Sequence, residues 1–325
     1  MEKLLSQARG RITQWRRDAE IFFDSNSLKL KKNGQRTGKV IWAVLIALIL
    51  FGLCFVLLYP LIFMLSMAFR LSADIGDPSV IWIPRSFTLT NLLDAVKFMD
   101  YQTSLLNTLL LCGVSSLLQI VSCSLVGYGL ARFKFPGRSL ILSLVILTIV
   151  IPAAVTYTPT YLMFNDFKLI DSFGAMYLPA ALGVGIKSGL FIYIFRQFYI
   201  NLPKELEDAA YIDGCGHLKT FLKIIVPNAG AAFLTVFLFS LVFYWNDYFV
   251  SSMYFTNIKT VSTALANLAS SISMFQGYEA LRVDPYLRAT RMQAGCLLAI
   301  APLLLIYMVL QRYFITGVER SGLVG

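Results

Sequence analysis

The chain has 325 residues, of which 57% are hydrophobic and only 14% charged, against about 25% charged in an ordinary soluble domain. That balance excludes a soluble protein. The net charge of +10 could suit nucleic acid, but where the charges fall ties it to topology and to attraction for anionic lipid.

Residues 1–38 form a basic N-terminal segment in which Leu4, Leu5, Ala8, Ile12, Trp15, Ala19, Phe22 and Phe23 recur at threes and fours. The spacing suits an amphipathic helix on the inner leaflet, with Gly10 against it; the plainer reading is a basic tail that fixes orientation, joined by a linker over Ser25 to Lys39. A hydrophobic region follows over 39–325. Val40 to Phe69, Tyr101 to Ala131, Ser139 to Asn165, Ile224 to Asn246 and Met292 to Gln311 carry no charge, and Ser172 to Phe195 carries only Lys187. A helix needs about 20 residues to cross about 30 Å of hydrocarbon, so these predict an all-α integral membrane protein with six transmembrane helices, near 40–69, 104–131, 139–165, 172–198, 229–250 and 292–312. Continuous apolar runs exclude a β-barrel, whose strands alternate. The first run starts too late and is too long for a cleaved signal peptide.

With both termini on one side, that side holds 19 of the 28 Lys and Arg and the other holds 8, which predicts cytoplasmic termini. The external segments Arg70 to Asp100 and Asp247 to Arg291 are long enough to carry short surface helices, and Pro136-Gly137 makes Arg132 to Arg138 a tight cytoplasmic turn. Four of five cysteines, Cys54, Cys112, Cys123 and Cys296, lie within apolar spans and read as small hydrophobes. His217 is the sole histidine, so a multi-histidine or HExxH metal site cannot be assembled from this chain.

The most informative stretch is 201–227, on the cytoplasmic side between the fourth and fifth spans. Pro203 near a helix start, with Glu205, Glu207 and Asp208 in the first turn, suits the positive end of a helix dipole. Gly214 and Gly216 end that helix, and His217 to Val226 forms a second one leading to Pro227. A helix, a glycine turn and a helix suit docking into a groove of a soluble partner, with Ala209 and Ala210 permitting close approach.

Here the sequence resembles the membrane permeases of ABC importers. Their signature, Glu-Ala-Ala, three residues, Gly, nine residues and Ile-x-Leu-Pro, is matched by Asp208-Ala209-Ala210, Gly214 and Ile224-Ile225-Val226-Pro227, with Asp for Glu and Val for Leu. Asn107, the run Gly127 to Gly137, Arg196-Gln-Phe, Trp245-Asn246-Asp247 and the Gly317 to Gly325 tail are similar to the maltose-type carbohydrate permeases. The resemblance covers about 250 residues and leaves out 1–38. It implies a type I ABC importer permease fold in a bacterial plasma membrane, a second permease (a heterodimer), two nucleotide-binding ATPase subunits that hold the ATP and Mg, and an extracytoplasmic solute-binding protein. It also implies that Glu205, Asp208, Ala209, Ala210, Asp213 and Gly214 form an ATPase-coupling loop.

Lys187 is the one charge inside a span, so it needs a water-filled path, a partner carboxylate or a break in the helix, and Gly183, Gly185 and Gly189 around it suit a break. Tyr244, Trp245, Asn246 and Asp247 combine aromatic faces with polar groups at the outer end of the fifth span; such sets hold sugars, and they also form interfacial belts. Gly183 to Gly189 lacks the Gly before Lys that a P-loop requires, so ATP binding is expected in a partner chain, with no cofactor or metal in this one. The expected function is the transport subunit of an ATP-driven sugar or oligosaccharide importer, without enzymatic chemistry. An ion-coupled transporter or channel is the alternative, and it calls for more intramembrane acids than the spans contain.

Overall fold

In the computed structural model the described residues are 39, 42–77, 82–274 and 285–322, with side chains to 312. The basic segment 1–38 and its expected amphipathic helix lie outside them. The chain divides into two units, Met1–Phe63 and Met64–Gly325. The first contributes most of α1, Trp42–Ala68, whose side chains are largely exposed, as a lipid-facing or partner-facing span requires.

The second unit is helical. It comprises α2 (Thr90–Phe98), α3 (Tyr101–Arg132), α4 (Arg138–Val150), α5 (Ala154–Asp166), α6 (Gly174–Ala181) and α7 (Ser188–Asn201). Then come α8 (Glu205–Ile212), α9 (His217–Thr220), a π-helical stretch Phe221–Ile225, α10 (Val226–Asn228), α11 (Gly230–Asn246), α12 (Phe249–Tyr254), α13 (Val261–Met274) and α14 (Pro285–Gly322). The long segments 70–100 and 247–291 carry short helices as expected, α2 in the first and α12 and α13 in the second.

Six uninterrupted crossings are not what the described residues contain. Three helices are long and apolar enough to span, Trp42–Ala68, Tyr101–Arg132 and Pro285–Arg312, and the number reaches five if each of two bent pairs makes one crossing. The first pair is α4 with α5, bent by 103°, where Pro152 interrupts the backbone; the second joins His217–Asn228 to α11 at 78°. The stretch expected as one helix over 172–198 is two, with eight residues in α6 and fourteen in α7. Between them Gly183 and Lys187 take left-handed φ values of +74° and +59°, which no continuing helix accommodates.

The core is built around α3. Its C-terminal half packs Tyr128 with Phe191, Phe195 and Tyr199 of α7, Phe221 and Val236. Its N-terminal half packs Leu111 and Cys112 with α6, Tyr244, Trp245 and Tyr254. The contact with α7 is close because of Gly127: a Cβ there would lie 2.7 Å from Phe195 Cβ and 3.1 Å from both the Arg196 nitrogen and the Ile192 oxygen. Gly129, on the same helix, faces open space.

A carboxylate pins one outer connection. Asp171, before α6, accepts the backbone N–H groups of Thr256 (3.0 Å), Asn257 (2.8 Å) and Ile258 (3.3 Å) and the Asn257 side-chain amide. Those donors, the Asn257 N–H foremost, hold its carboxyl below the usual carboxylate range.

Two outcomes follow from this packing. Gly127→Ala must push α3 and α7 apart and should cost about 1–3 kcal/mol in a thermal or denaturant series, whereas Gly129→Ala, which gains helix propensity in open space, should be neutral or stabilising. Because its pKa is depressed on folding, Asp171 should stabilise the 256–258 turn at neutral pH and release it only as pH falls through that lowered value, below the usual carboxylate range. Hydrogen exchange at Asn257 and Ile258 should therefore be slow at neutral pH in the parent and fast in Asp171→Asn.

Candidate functional site

The loop after α7 folds as its residues dictate. Pro203 is followed by α8, whose first turn carries Glu205, Glu207 and Asp208. The helix ends in a Schellman turn: Gly214, at φ +79°, donates its N–H to the Tyr211 oxygen at 3.0 Å, and Cys215 donates to the Ala210 oxygen at 2.9 Å. Only a residue tolerant of positive φ closes this turn without strain, yet a Cβ on Gly214 would meet nothing within 4 Å. Across the turn the Tyr211 hydroxyl lies 2.9 Å from His217 Nδ1, and the His217 ring stands edge-on to Tyr211 and Phe133. The histidine thus clasps the two helices together, a role beyond the helix start expected of it.

The loop has an inward and an outward face. Ala210 is buried, whereas Glu205, Asp208, Ala209 and Asp213 are exposed with Gly214, so the two alanines expected to face a partner are split between the faces. The outward surface is apolar as well as acidic: Ile212 is 86% exposed, and Leu218 and Leu222 help line an open groove of about 540 Å³ beside His217. Inward, Glu207 Oε1 lies 2.7 Å from Arg132 Nε at the end of α3, in an ion pair whose side chains are both under a tenth exposed. Sequence analysis placed Glu207 only in a first turn and did not pair it. The available signal was Arg132 as the first charge after a long neutral span.

The second region is the break between α6 and α7. Lys187 caps the start of α7, is exposed, and places its ammonium 5.9 Å from the Phe243 ring centroid. Among the described residues no carboxylate pairs with it, which favours the break over a buried partner acid. The break is held by Gln119 of α3, fully buried, whose amide donates to the Ile186 oxygen at 2.6 Å and to Ser188 Oγ at 2.9 Å, while its own oxygen accepts from Ser240 at 3.1 Å. Ser122 adds a bond to the Ala180 oxygen at 2.6 Å. Sequence analysis missed Gln119, although it stands within a charge-free span.

The aromatic set at the end of α11 divides. Tyr244 and Trp245 are buried, Trp245 donating to the Ala299 oxygen at 3.0 Å; Asn246 is exposed and bonds back to Val242. Asp247 accepts from the Ser251 backbone N–H at 2.7 Å and hydroxyl at 2.8 Å, so its carboxylate caps α12.

A family model described as binding-protein-dependent transport system inner membrane component matches residues 124–320, which include the loop, the break and the end of α11. The chain belongs to that family. It is a multi-pass component of a bacterial inner membrane whose work is transport and not ATP hydrolysis. Among relatives of this inner membrane component, the osmoprotective compounds uptake permease protein GgtD of Synechocystis is 30% identical over 246 residues, covering 74% of this chain and 77% of its own. The arabinooligosaccharides transport system permease protein AraQ of Halalkalibacterium halodurans is 27% identical over 277 residues, covering 84% and 93%. The fold is also that of a chain in a bacterial ABC transporter involved in the import of the acidic polysaccharide alginate, with a TM-score of 0.70 at 22% identity over 84% of this chain and 96% of that one.

Proposed function

We propose that this inner membrane component imports a sugar or oligosaccharide, handed over by an extracytoplasmic binding protein, through a path formed with a second permease. Relatives named for arabinooligosaccharide, polygalacturonan/rhamnogalacturonan and sulfoquinovosyl glycerol transport support the substrate class. Loop 201–227 docks on one of two ATPase subunits, which hold ATP and Mg. The observation that carries this reading is the helix, glycine turn and helix of 205–225, closed on itself and presenting exposed Glu205, Asp208, Ala209, Asp213 and Ile212. On this reading α6 and α7 make a sixth, broken crossing, residues 39–325 are the permease domain, and both termini lie in the cytoplasm, as the 19 to 8 charge bias favours.

The solute path runs past the break. Irregular backbone at membrane depth is tolerated where it lines a cavity, and the left-handed Lys187 at the start of α7 offers an ammonium with no carboxylate partner among the described residues. Hydroxyls or carboxylates of a saccharide suit that donor. Asn246 is the exposed polar companion from α11; Tyr244, Trp245 and Asp247 contribute by shaping the wall behind it.

Two substitutions test the halves of the reading. Gly214→Val strains a left-handed turn that has room for the side chain, so the chain should insert normally while uptake and substrate-stimulated ATP hydrolysis both fall; normal uptake by a well-expressed variant would remove the docking role. Lys187→Met should lower uptake without changing complex recovery or thermal stability, since no buried acid loses a partner. Uptake at the parental rate would take Lys187 out of the path.

A further inference from the structure

The ion pair Arg132–Glu207 is not on the docking surface. Its side chains are under a tenth exposed, whereas Asp208 and Ala209, the next residues of α8, face outward. Arg132 also donates from Nη2 to the Leu202 oxygen at 2.8 Å, and Leu202 is the residue that ends α7. One guanidinium therefore ties together the cytoplasmic end of α3, the end of α7 and the loop helix α8. Beside it Tyr128 of α3 packs on Phe221 of the π-helical stretch at 4.8 Å between ring centroids and edge-on to Tyr199 of α7 at 5.7 Å, so α3 and α7 also meet the later part of the loop through an aromatic cluster.

From this geometry we infer that Arg132 and Glu207 are positioning residues for transport: the pair is a strut through which displacement of the docked loop is passed sideways into α3 and α7. Along the backbone the loop's other exit is through the π-helical stretch and the 78° bend before α11, a path poorly suited to transmitting a push. Aromatic contacts permit sliding. A buried charge pair resists separation because each charge would be left uncompensated in a dry site. The strut thus keeps the loop and the inner end of α3 moving as one body, and α3 carries the displacement to Gln119, which holds the break beside Lys187. The inference rests on the docking role proposed for the loop.

The experiment uses the reconstituted complex with its ATPase and binding protein, and measures complex recovery, ATP hydrolysis and uptake on one preparation. Glu207→Gln and Arg132→Gln should still assemble and hydrolyse ATP, with solute moved per ATP falling at least about fivefold, the lower end of ordinary coupling strengths. The exchanged pair Arg132→Glu with Glu207→Arg should recover a substantial part of that ratio. A parental ratio in both single variants would overturn the strut. Failure of the docking role looks different, since Gly214→Val would then transport normally whatever the strut variants do. Independently of how the variants fold, spin labels at Leu117 on α3 and Lys204 before α8, in a chain otherwise parental at 132 and 207, should keep their separation within about 2 Å between nucleotide-free and ATP-bound complexes. A larger change would show that the loop moves without α3, and the inference would fail.

Discussion

A break between two buried helices leaves backbone groups that the helices themselves cannot satisfy. In this permease that constraint is met by one side chain above others, the carboxamide of Gln119. It satisfies the Ile186 carbonyl and the Ser188 hydroxyl at the break and receives Ser240 from α11, using donor and acceptor ends together. Gln119 belongs to a buried polar stripe along α3 with Ser104, Thr108, Ser115 and Ser122, of which Ser122 bonds Ala180 and Thr108 the start of α13, while Ser124, on the opposite face, bonds Tyr199. The stripe explains how a 32-residue helix in hydrocarbon keeps polar groups without charge. They face the pieces around it, whose irregularity they make affordable.

The same helix meets loop 201–227 at its C-terminal end. Gln119 and Arg132 are 13 residues apart, about 20 Å along an α-helix, so the break and the loop are two stations on one rod. α3 contains no proline and is not interrupted, unlike the α4–α5 pair or the junction before α11. Arg138 further secures its inner end by donating to the Leu130 and Ala131 carbonyls from the next turn. Straightness matters because a rod that bends stores displacement locally instead of delivering it.

Much of this was legible in the sequence where information is local. Charge-free runs announced the spans, and Pro203, the acids of 205–208 and Gly214 announced a helix with its start and stop, since dipole complementarity and left-handed φ are properties of neighbouring residues. The glycines around Lys187 signalled a break, but the rule that about 20 apolar residues make one helix prevailed in the count. Other parts depend on residues far apart. Nothing near Glu207 names Arg132, 75 positions earlier, and nothing near Gln119 names Ile186. The burial of Trp245 is likewise decided by Ala299, a residue of another helix. Asp247 is tied to the backbone of Val250 and Ser251 just ahead of it, a local contact that its aromatic neighbours in the sequence do not announce.

Why a charge pair rather than an apolar contact should join the loop to α3 follows from what each resists. Burying Arg132 and Glu207 costs desolvation that their attraction only partly returns, so packed hydrophobic side chains would supply as much stability. They would not supply register. Apolar surfaces can shift by a fraction of a turn with little penalty, as ridges slide in grooves. The Arg132 guanidinium donates to the Leu202 carbonyl, while its Nε stands 2.7 Å from Glu207 Oε1 as a charge contact without a hydrogen bond between those two atoms, and parting the pair leaves two charges uncompensated in a dry environment. On the proposed reading, in which the loop meets an ATPase and the break lies some 20 Å along α3, a joint that resists separation passes on a displacement that a sliding one would absorb.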